Sequence, residues 1–406
     1  MLKFIRLVLI CALAVGLSAP AVAYAQQPPP LLPGCQTGSL PSHDPQYPAD
    51  QLILICIPPV GWNGHLVVYA HGYVAPQAPL ALPLDELTLP DGTFVPQVLL
   101  LQGFAFATSS YHKNGYAVEQ ARKDLNKLVN HFKTVVPPGS LQKVFITGAS
   151  EGGLIATLLV ERFPDKYAGG LALCGPVGGA PFQVQYLGDF RVVFDYFFRS
   201  VFTFPPGLPG EQPFGAANVP ENAFQFWDAV YVPRLAAAIT LNPGATAQLF
   251  NVTGAALDPQ NPASAVTTAI GILFYSIWGT NDLIATAGGM PYDNQSTTYL
   301  GSADDGALNA GVERVQSDPR ARAYLRRFYQ TTGALQRPLV TLHNTLDPVV
   351  PFAHEAIYTG LVANAGSSAF LTVLPVPGYG HCNFTGAQVS GAFALLVQKA
   401  TAQGGP

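Results

Sequence analysis

Ser150 stands in Gly148-Ala-Ser150-Glu-Gly152-Gly153, between a β-branched apolar run and an apolar stretch at helical spacing. A strand that turns straight into a helix at a serine holds that serine in a strained turn and exposes its hydroxyl. Glycines are needed on both sides, because a Cβ there would strike neighbouring backbone. At a helix N-terminus, free N–H groups face any negative charge that develops on a bound acyl group. This pattern points to nucleophilic attack on an acyl carbonyl. G-x-S-x-G alone arises often by chance; a strand before it and a helix after it make it specific.

A serine hydroxyl is a poor nucleophile until a base takes its proton. His381, in Pro377-Gly-Tyr-Gly-His381-Cys382, follows a predicted strand and precedes the last predicted helix. Its glycines suit a loop that folds back over a sheet. The other histidines fit less well. His65 opens a buried strand, His112 and His131 flank or sit on a helix, and His43 lies in an N-terminal lead-in. His343 ends a strand and His354 begins a helix, and both read as structural. The base needs a carboxylate to fix its tautomer. Asp347, in Leu346-Asp347-Pro-Val-Val-Pro351, precedes His381 by one strand–helix–strand unit. Asp282, in Trp278-Gly-Thr-Asn-Asp282, is the rival, but it lies in a segment of different pattern.

The positioning elements are legible around these residues. Lys143–Thr147 reads as the strand before Ser150, and Leu154, Ile155, Leu158 and Leu159 mark the helix after it. Gln51–Ile57, His65–Ala70, Phe104–Ser109, Gly170–Cys174, Pro338–His343 and Ala369–Pro375 read as further strands. Ala117–Phe132 is an amphipathic helix and Thr385–Lys399 a closing one. Alternating strands and helices predict an α/β fold with a doubly wound, mainly parallel sheet. The rhythm breaks from about Pro181 to Leu335. There Phe182, Phe190, Phe194, Phe198 and Phe202 crowd together, and Pro and Gly break short helical pieces. The expected organisation is a signal peptide over 1–25, an extended lead-in over 26–48, a sheet core over 49–180 and 336–406, and a mostly helical cap insertion over 181–335.

The chain has 406 residues, 49% of them hydrophobic and 11% charged, which excludes a disordered polymer. A net charge of −4 with no basic cluster gives no electrostatic support for nucleic-acid binding. Lys3 and Arg6, the apolar run Leu7–Leu17 and Ala23-Tyr-Ala25 read as a secretory leader cleaved near Ala25. The run is short for a spanning helix, so a secreted or periplasmic protein without stable membrane insertion is expected. Loss of Cys11 leaves Cys35, Cys56, Cys174 and Cys382, enough for two disulfides with three possible pairings. No metal and no cofactor is expected: His343, Asp347 and His354 fit no zinc spacing, and Asp304-Asp305 reads as a solvated acidic loop.

Taken together, the order Ser150, Asp347, His381 resembles the α/β-hydrolase superfamily of serine hydrolases. The likeness covers about residues 50–180 and 336–400, through the serine elbow, His71-Gly72, the Asp347 turn and the Gly-His381 loop. The Asn114-Gly115 loop is similar to that of prolyl-oligopeptidase-like members. The resemblance implies a catalytic triad of Ser150, Asp347 and His381. An oxyanion hole follows from the elbow at the Glu151 N–H, and by likeness to members with His-Gly at this place, its second donor is the Tyr73 N–H. The implied sheet puts the Cys174 strand beside the Ser150 strand, with the His381 loop passing over it. It therefore implies the pairs Cys174–Cys382 and Cys35–Cys56. The implied activity is cleavage of a small-molecule or polymeric ester, and the aromatic residues of the cap insertion suggest a hydrophobic or aromatic group in the substrate. A prolyl-oligopeptidase-like peptidase and a non-catalytic binding protein on the same fold are the alternatives.

Overall fold

A computed structural model describes residues 32–203, 215 and 220–402. The leader read over 1–25, with Cys11, lies outside the described residues. Eight strands form one sheet: β1 (Cys35–Leu40), β2 (Gln51–Cys56), β3 (His65–Ala70), β4 (Ala105–Ser109), β5 (Lys143–Ala149), β6 (Gly169–Leu173), β7 (Leu339–Leu346) and β8 (Leu371–Tyr379). Their spatial order is β1-β2-β4-β3-β5-β6-β7-β8. β2 runs antiparallel to both β1 and β4, and every pairing from β4 to β8 is parallel.

The central strands are apolar without interruption because both of their faces are covered. Along β3, Leu66, Val68 and Ala70 pack into one core with Leu125, Leu128, Leu154 and Ile155. These belong to helices on that face. Val67 and Tyr69, pointing the other way, join a second core with Leu99, Phe393 and Leu396. The first face carries α2 (Val118–Val135) and α3 (Glu151–Arg162), and the second carries α1 (Val95–Leu101) and the C-terminal helix Gly386–Ala402.

Part of the expected lead-in is an edge strand. β1 has four exposed residues and too little apolar alternation to announce itself. Its register sets Cys35 opposite Cys56, and the two form a disulfide. The second disulfide joins Cys174, just after β6, to Cys382.

Between β6 and β7 the chain forms α4 (Ala180–Phe197), α5 (Val232–Leu241), α6 (Pro243–Thr253), α7 (Ser264–Phe274), α8 (Thr280–Ala287), α9 (Asp305–Gly311) and α10 (Pro319–Phe328). A π-turn, Tyr275–Gly279, joins α7 to α8. The crowded aromatics mostly pack within this insertion. Phe194 lies against Phe198 and Phe202, and Phe190 against Phe250. After β7 come α11 (Ala353–Asn364), β8 and α12 (Gly386–Ala402).

Candidate active site

Ser150 sits at the β5–α3 turn with φ 56° and ψ −123°. A non-glycine residue there costs about 1–3 kcal/mol, so its neighbours must hold it in place. The Ser150 N–H donates to the Leu173 carbonyl on β6 at 2.9 Å. A Cβ on Gly148 would lie 2.2 Å from the Gly152 carbonyl oxygen, and one on Gly152 would lie 2.0 Å from that of Ala70. The two glycines therefore let β3, β5 and α3 close around the serine.

The His381 Nε2 accepts from the Ser150 hydroxyl at 2.9 Å, and its Nδ1–H donates to Asp347 Oδ2 at 2.7 Å. The other Asp347 oxygen accepts the Val349 and Val350 N–H groups, each at 2.9 Å. Three features fix the His381 loop. Gly378 and Gly380 take φ 138° and 124°, which favour glycine. The Asn344 side chain, on β7, bonds both the N–H and the carbonyl of Asn383. The Cys174–Cys382 disulfide anchors the loop to the end of β6.

A strained serine after the fifth strand thus meets a carboxylate from the end of β7 and a histidine from beyond β8, in a sheet of this strand order. The chain has the α/β-hydrolase fold.

Within that fold, the surroundings of Asp347 hold a feature the sequence reading missed. Burial pushes the Asp347 carboxyl up, but attraction and hydrogen bonds from His381 and His343 win and hold it at about 2. His343 lies behind it, fully buried. Its Nδ1 faces Glu355 Oε1 at 3.0 Å, and its Nε2 faces the Val350 carbonyl at 2.9 Å and Asp347 Oδ2 at 3.5 Å. Acceptors on both sides call for a proton on both nitrogens. Burial pulls the His343 ring down, but Asp347 and Glu355 outweigh it and raise it to about 9. Its neighbour His354 is the opposite case: its Nδ1 accepts the Gly178 N–H, and burial depresses it to about 3.

Stability should follow from this. His343 binds its proton more tightly folded than unfolded, where its pKa is about 6.5. Its contribution is complete below about pH 6.5 and disappears as pH rises through about 9. The melting temperature is expected to fall across that window, and to fall less in His343→Gln, as read by calorimetry. An equal fall in both proteins would show that His343 does not carry the effect. His354 titrates below the window and leaves it undisturbed.

The loop after β3 passes close to the serine: a Cβ on Gly72 would lie 3.4 Å from the Ser150 Cβ. Glu86 accepts the Gly72 N–H at 2.9 Å and the Tyr69 hydroxyl at 3.1 Å, so Gly72 is spoken for. The N–H groups of Tyr73 and Glu151 have no hydrogen-bond partner among the described residues. Asp282 does not approach His381. It takes the Lys113 ammonium at 2.7 Å and the Tyr116 N–H at 2.7 Å, in a buried pair far from the base in role. Cys174, His381 and Cys382 lie within 4.8 Å of one another, but both sulfurs are in the disulfide and offer no thiolate to a metal.

Sequence spacing had no means of finding Glu86, His343 or Asn344, which act through contacts with other elements. The alternation of Thr341 and His343 along β7, both facing Glu355, was the available signal.

A cavity of about 320 Å³ opens beside Ser150 and His381 and runs between the sheet and the helices α1 and α12. Val67, Leu99, Leu171, Val389 and Phe393 line it, and of the insertion's described residues Tyr275 alone contributes. The apolar lining of this cavity therefore comes mostly from the sheet core, with Tyr275 added by the aromatic insertion to which the sequence had pointed.

No family model matches the chain. An o-phthalyl amidase of Xanthobacter agilis is 28% identical over 99 residues, covering 23% of this chain and 22% of that protein. The match thus spans about a fifth of the amidase. Among solved structures, an acylaminoacyl peptidase of Pyrococcus horikoshii aligns at a TM-score of 0.40 and 10% identity, over 85% of this chain and 37% of the peptidase. An esterase of Pyrococcus furiosus aligns at 0.42 and 10% identity, over 90% of this chain and 93% of the esterase. An esterase of Butyrivibrio proteoclasticus with bound ferulic acid aligns at 0.39 and 11% identity, over 87% of this chain and 96% of the esterase.

Proposed function

We propose that the chain is an exported serine hydrolase that cleaves a carboxylic ester bearing an apolar group. The observation that carries this reading is the hydrogen-bonded run from Ser150 Oγ through His381 to Asp347. The Ser150 oxygen attacks the acyl carbon while His381 Nε2 takes its proton. The charge that forms on the carbonyl oxygen falls to the Tyr73 and Glu151 N–H groups. His381 then protonates the departing alcohol. Water repeats the sequence and frees the acid. The apolar cavity supports a substrate with a hydrophobic portion. Export is supported by two disulfides, which persist in oxidising compartments, and by the leader-like pattern over 1–25.

A fluorophosphonate probe tests the nucleophile. Labelling at Ser150, mapped by peptide mass spectrometry, is expected. An unlabelled, folded protein would favour a binding role on an inactive fold. p-Nitrophenyl esters screened beside aminoacyl p-nitroanilides separate esterase from peptidase. Turnover of the anilides alone would sink the ester assignment.

A further inference from the structure

Glu86 lies beside Ser150 and takes no part in the triad. It comes from the turn Leu84–Leu87, fourteen residues along the chain from Gly72, and reaches back to the loop after β3. The turn is firmly seated. Leu87 is buried in the core that holds Val67 and Leu99, and the Leu89 N–H just beyond it donates to the Thr93 carbonyl at 2.9 Å. Between those two residues, Asp91 accepts the N–H of Gly386 at the start of α12. The Glu86 carboxylate is thus held by elements outside the loop that it grips.

That loop carries the Tyr73 N–H. Tyr73 and Ser150 line both the large cavity and a smaller neighbouring one of about 40 Å³, so the loop passes directly beside the nucleophile. The Gly72 N–H and the Tyr69 hydroxyl both donate to Glu86 Oε2, at 2.9 and 3.1 Å. The His71 carbonyl, in the same peptide as the Gly72 N–H, accepts the Tyr111 hydroxyl at 3.2 Å. The Gly72 carbonyl meets His71 Nδ1 at 2.7 Å. This carbonyl shares a planar trans peptide with the Tyr73 N–H, which points the opposite way and has no hydrogen-bond partner among the described residues. The His71 ring belongs to the loop itself, whereas Glu86 ties the loop to a separate element. Glycine has wide freedom in φ and ψ. Without a hold on the peptide before it, Gly72 lets the peptide after it swing, and the Tyr73 N–H with it. There is little room for such a swing: a Cβ on Gly72 would lie 3.4 Å from the Ser150 Cβ and 3.7 Å from Glu86 Oε1.

On the reading of Ser150 as nucleophile, we propose that Glu86 is a positioning residue for the oxyanion hole. By holding the Gly72 N–H, it keeps the Tyr73 N–H aimed at the charge that develops on the acyl oxygen. It acts through the loop and not on the reacting atoms. Donors fixed in advance stabilise that charge without reorganising during the reaction. A misplacement of about 1 Å can cost on the order of a hundredfold in rate.

Two variants, assayed on p-nitrophenyl acetate and p-nitrophenyl octanoate, test this. Both donors end on one Glu86 oxygen, so glutamine can keep both bonds with its amide oxygen, and alanine keeps neither. Glu86→Ala is expected to lower kcat by about ten- to hundredfold, somewhat less than outright loss of an oxyanion donor. KM should stay within about twofold, because the lost interaction exists only in the transition state. The fall in kcat should be the same for both esters, and Glu86→Gln should recover most of it. Glu86 also lines the large cavity, and a role only as its wall would raise KM instead, more for the octanoate than for the acetate. The endpoint of fluorophosphonate labelling counts functional Ser150, so a variant that folds poorly is corrected for. An unchanged kcat in Glu86→Ala, a KM effect that grows with chain length, or a glutamine variant as impaired as the alanine one would overturn the role. Wild type that fails to label at all would overturn the hydrolase reading, and this role with it.

Discussion

Ser150→Ala is expected to lower kcat on a p-nitrophenyl ester by on the order of a millionfold, the scale seen when a triad serine is removed elsewhere. The residual rate should still exceed the uncatalysed one by about a thousandfold, because the Tyr73 and Glu151 N–H groups and the cavities remain. Alanine has the same Cβ, so it meets the same strain at φ 56° that serine does. The melting temperature should therefore move little, and the loss is chemical. Stopped-flow or discontinuous assays with active-site titration give the measurement. A loss of less than about tenfold would remove Ser150 from the nucleophile's place, since loss of a triad serine costs far more than that. Retained fluorophosphonate labelling at another serine would point the same way.

How much of this was legible depends on where the determining contacts lie in the chain. The elbow was legible because its causes are local: Gly148 and Gly152 are two residues from Ser150, and the strand and helix adjoin it. The sheet was legible where both faces are buried, as in β3 and β5, whose apolar runs are continuous. β1 was not, since an edge strand with exposed polar residues gains its order from pairing with β2 and from the Cys35–Cys56 bond. The pairing of Cys174 with Cys382 followed from the sheet order that the resemblance implied, and the structure contains it. His343 shows the limit. At the end of a strand it read as structural, and only the fold sets it between Asp347 and Glu355. The same holds for the larger cavity: many aromatic residues conspicuous in the insertion pack on one another, and most of that cavity's lining comes from residues that looked like ordinary core.

Asp347→Asn should reduce kcat/KM by about ten-thousandfold, through the tautomer of His381. Asp347 uses two acceptor oxygens: one takes the Val349 and Val350 N–H groups, and the other takes His381 Nδ1–H. Asparagine has one acceptor oxygen and one amide. The two backbone donors claim the oxygen, which turns the amide toward His381. Nδ1 must then accept, the ring proton moves to Nε2, and Nε2 can no longer receive the Ser150 proton. The substitution also removes the negative charge that stabilises the imidazolium once it forms. Asp282→Asn provides the contrast. It breaks the buried pair with Lys113, which costs about 3–5 kcal/mol when one partner is lost, so it should lower the melting temperature. The kcat of its folded fraction, counted by fluorophosphonate titration, should stay near wild type. If Asp282→Asn instead lost the rate and Asp347→Asn kept it, the carboxylate role would pass to Asp282 and the geometry around His381 would need another explanation.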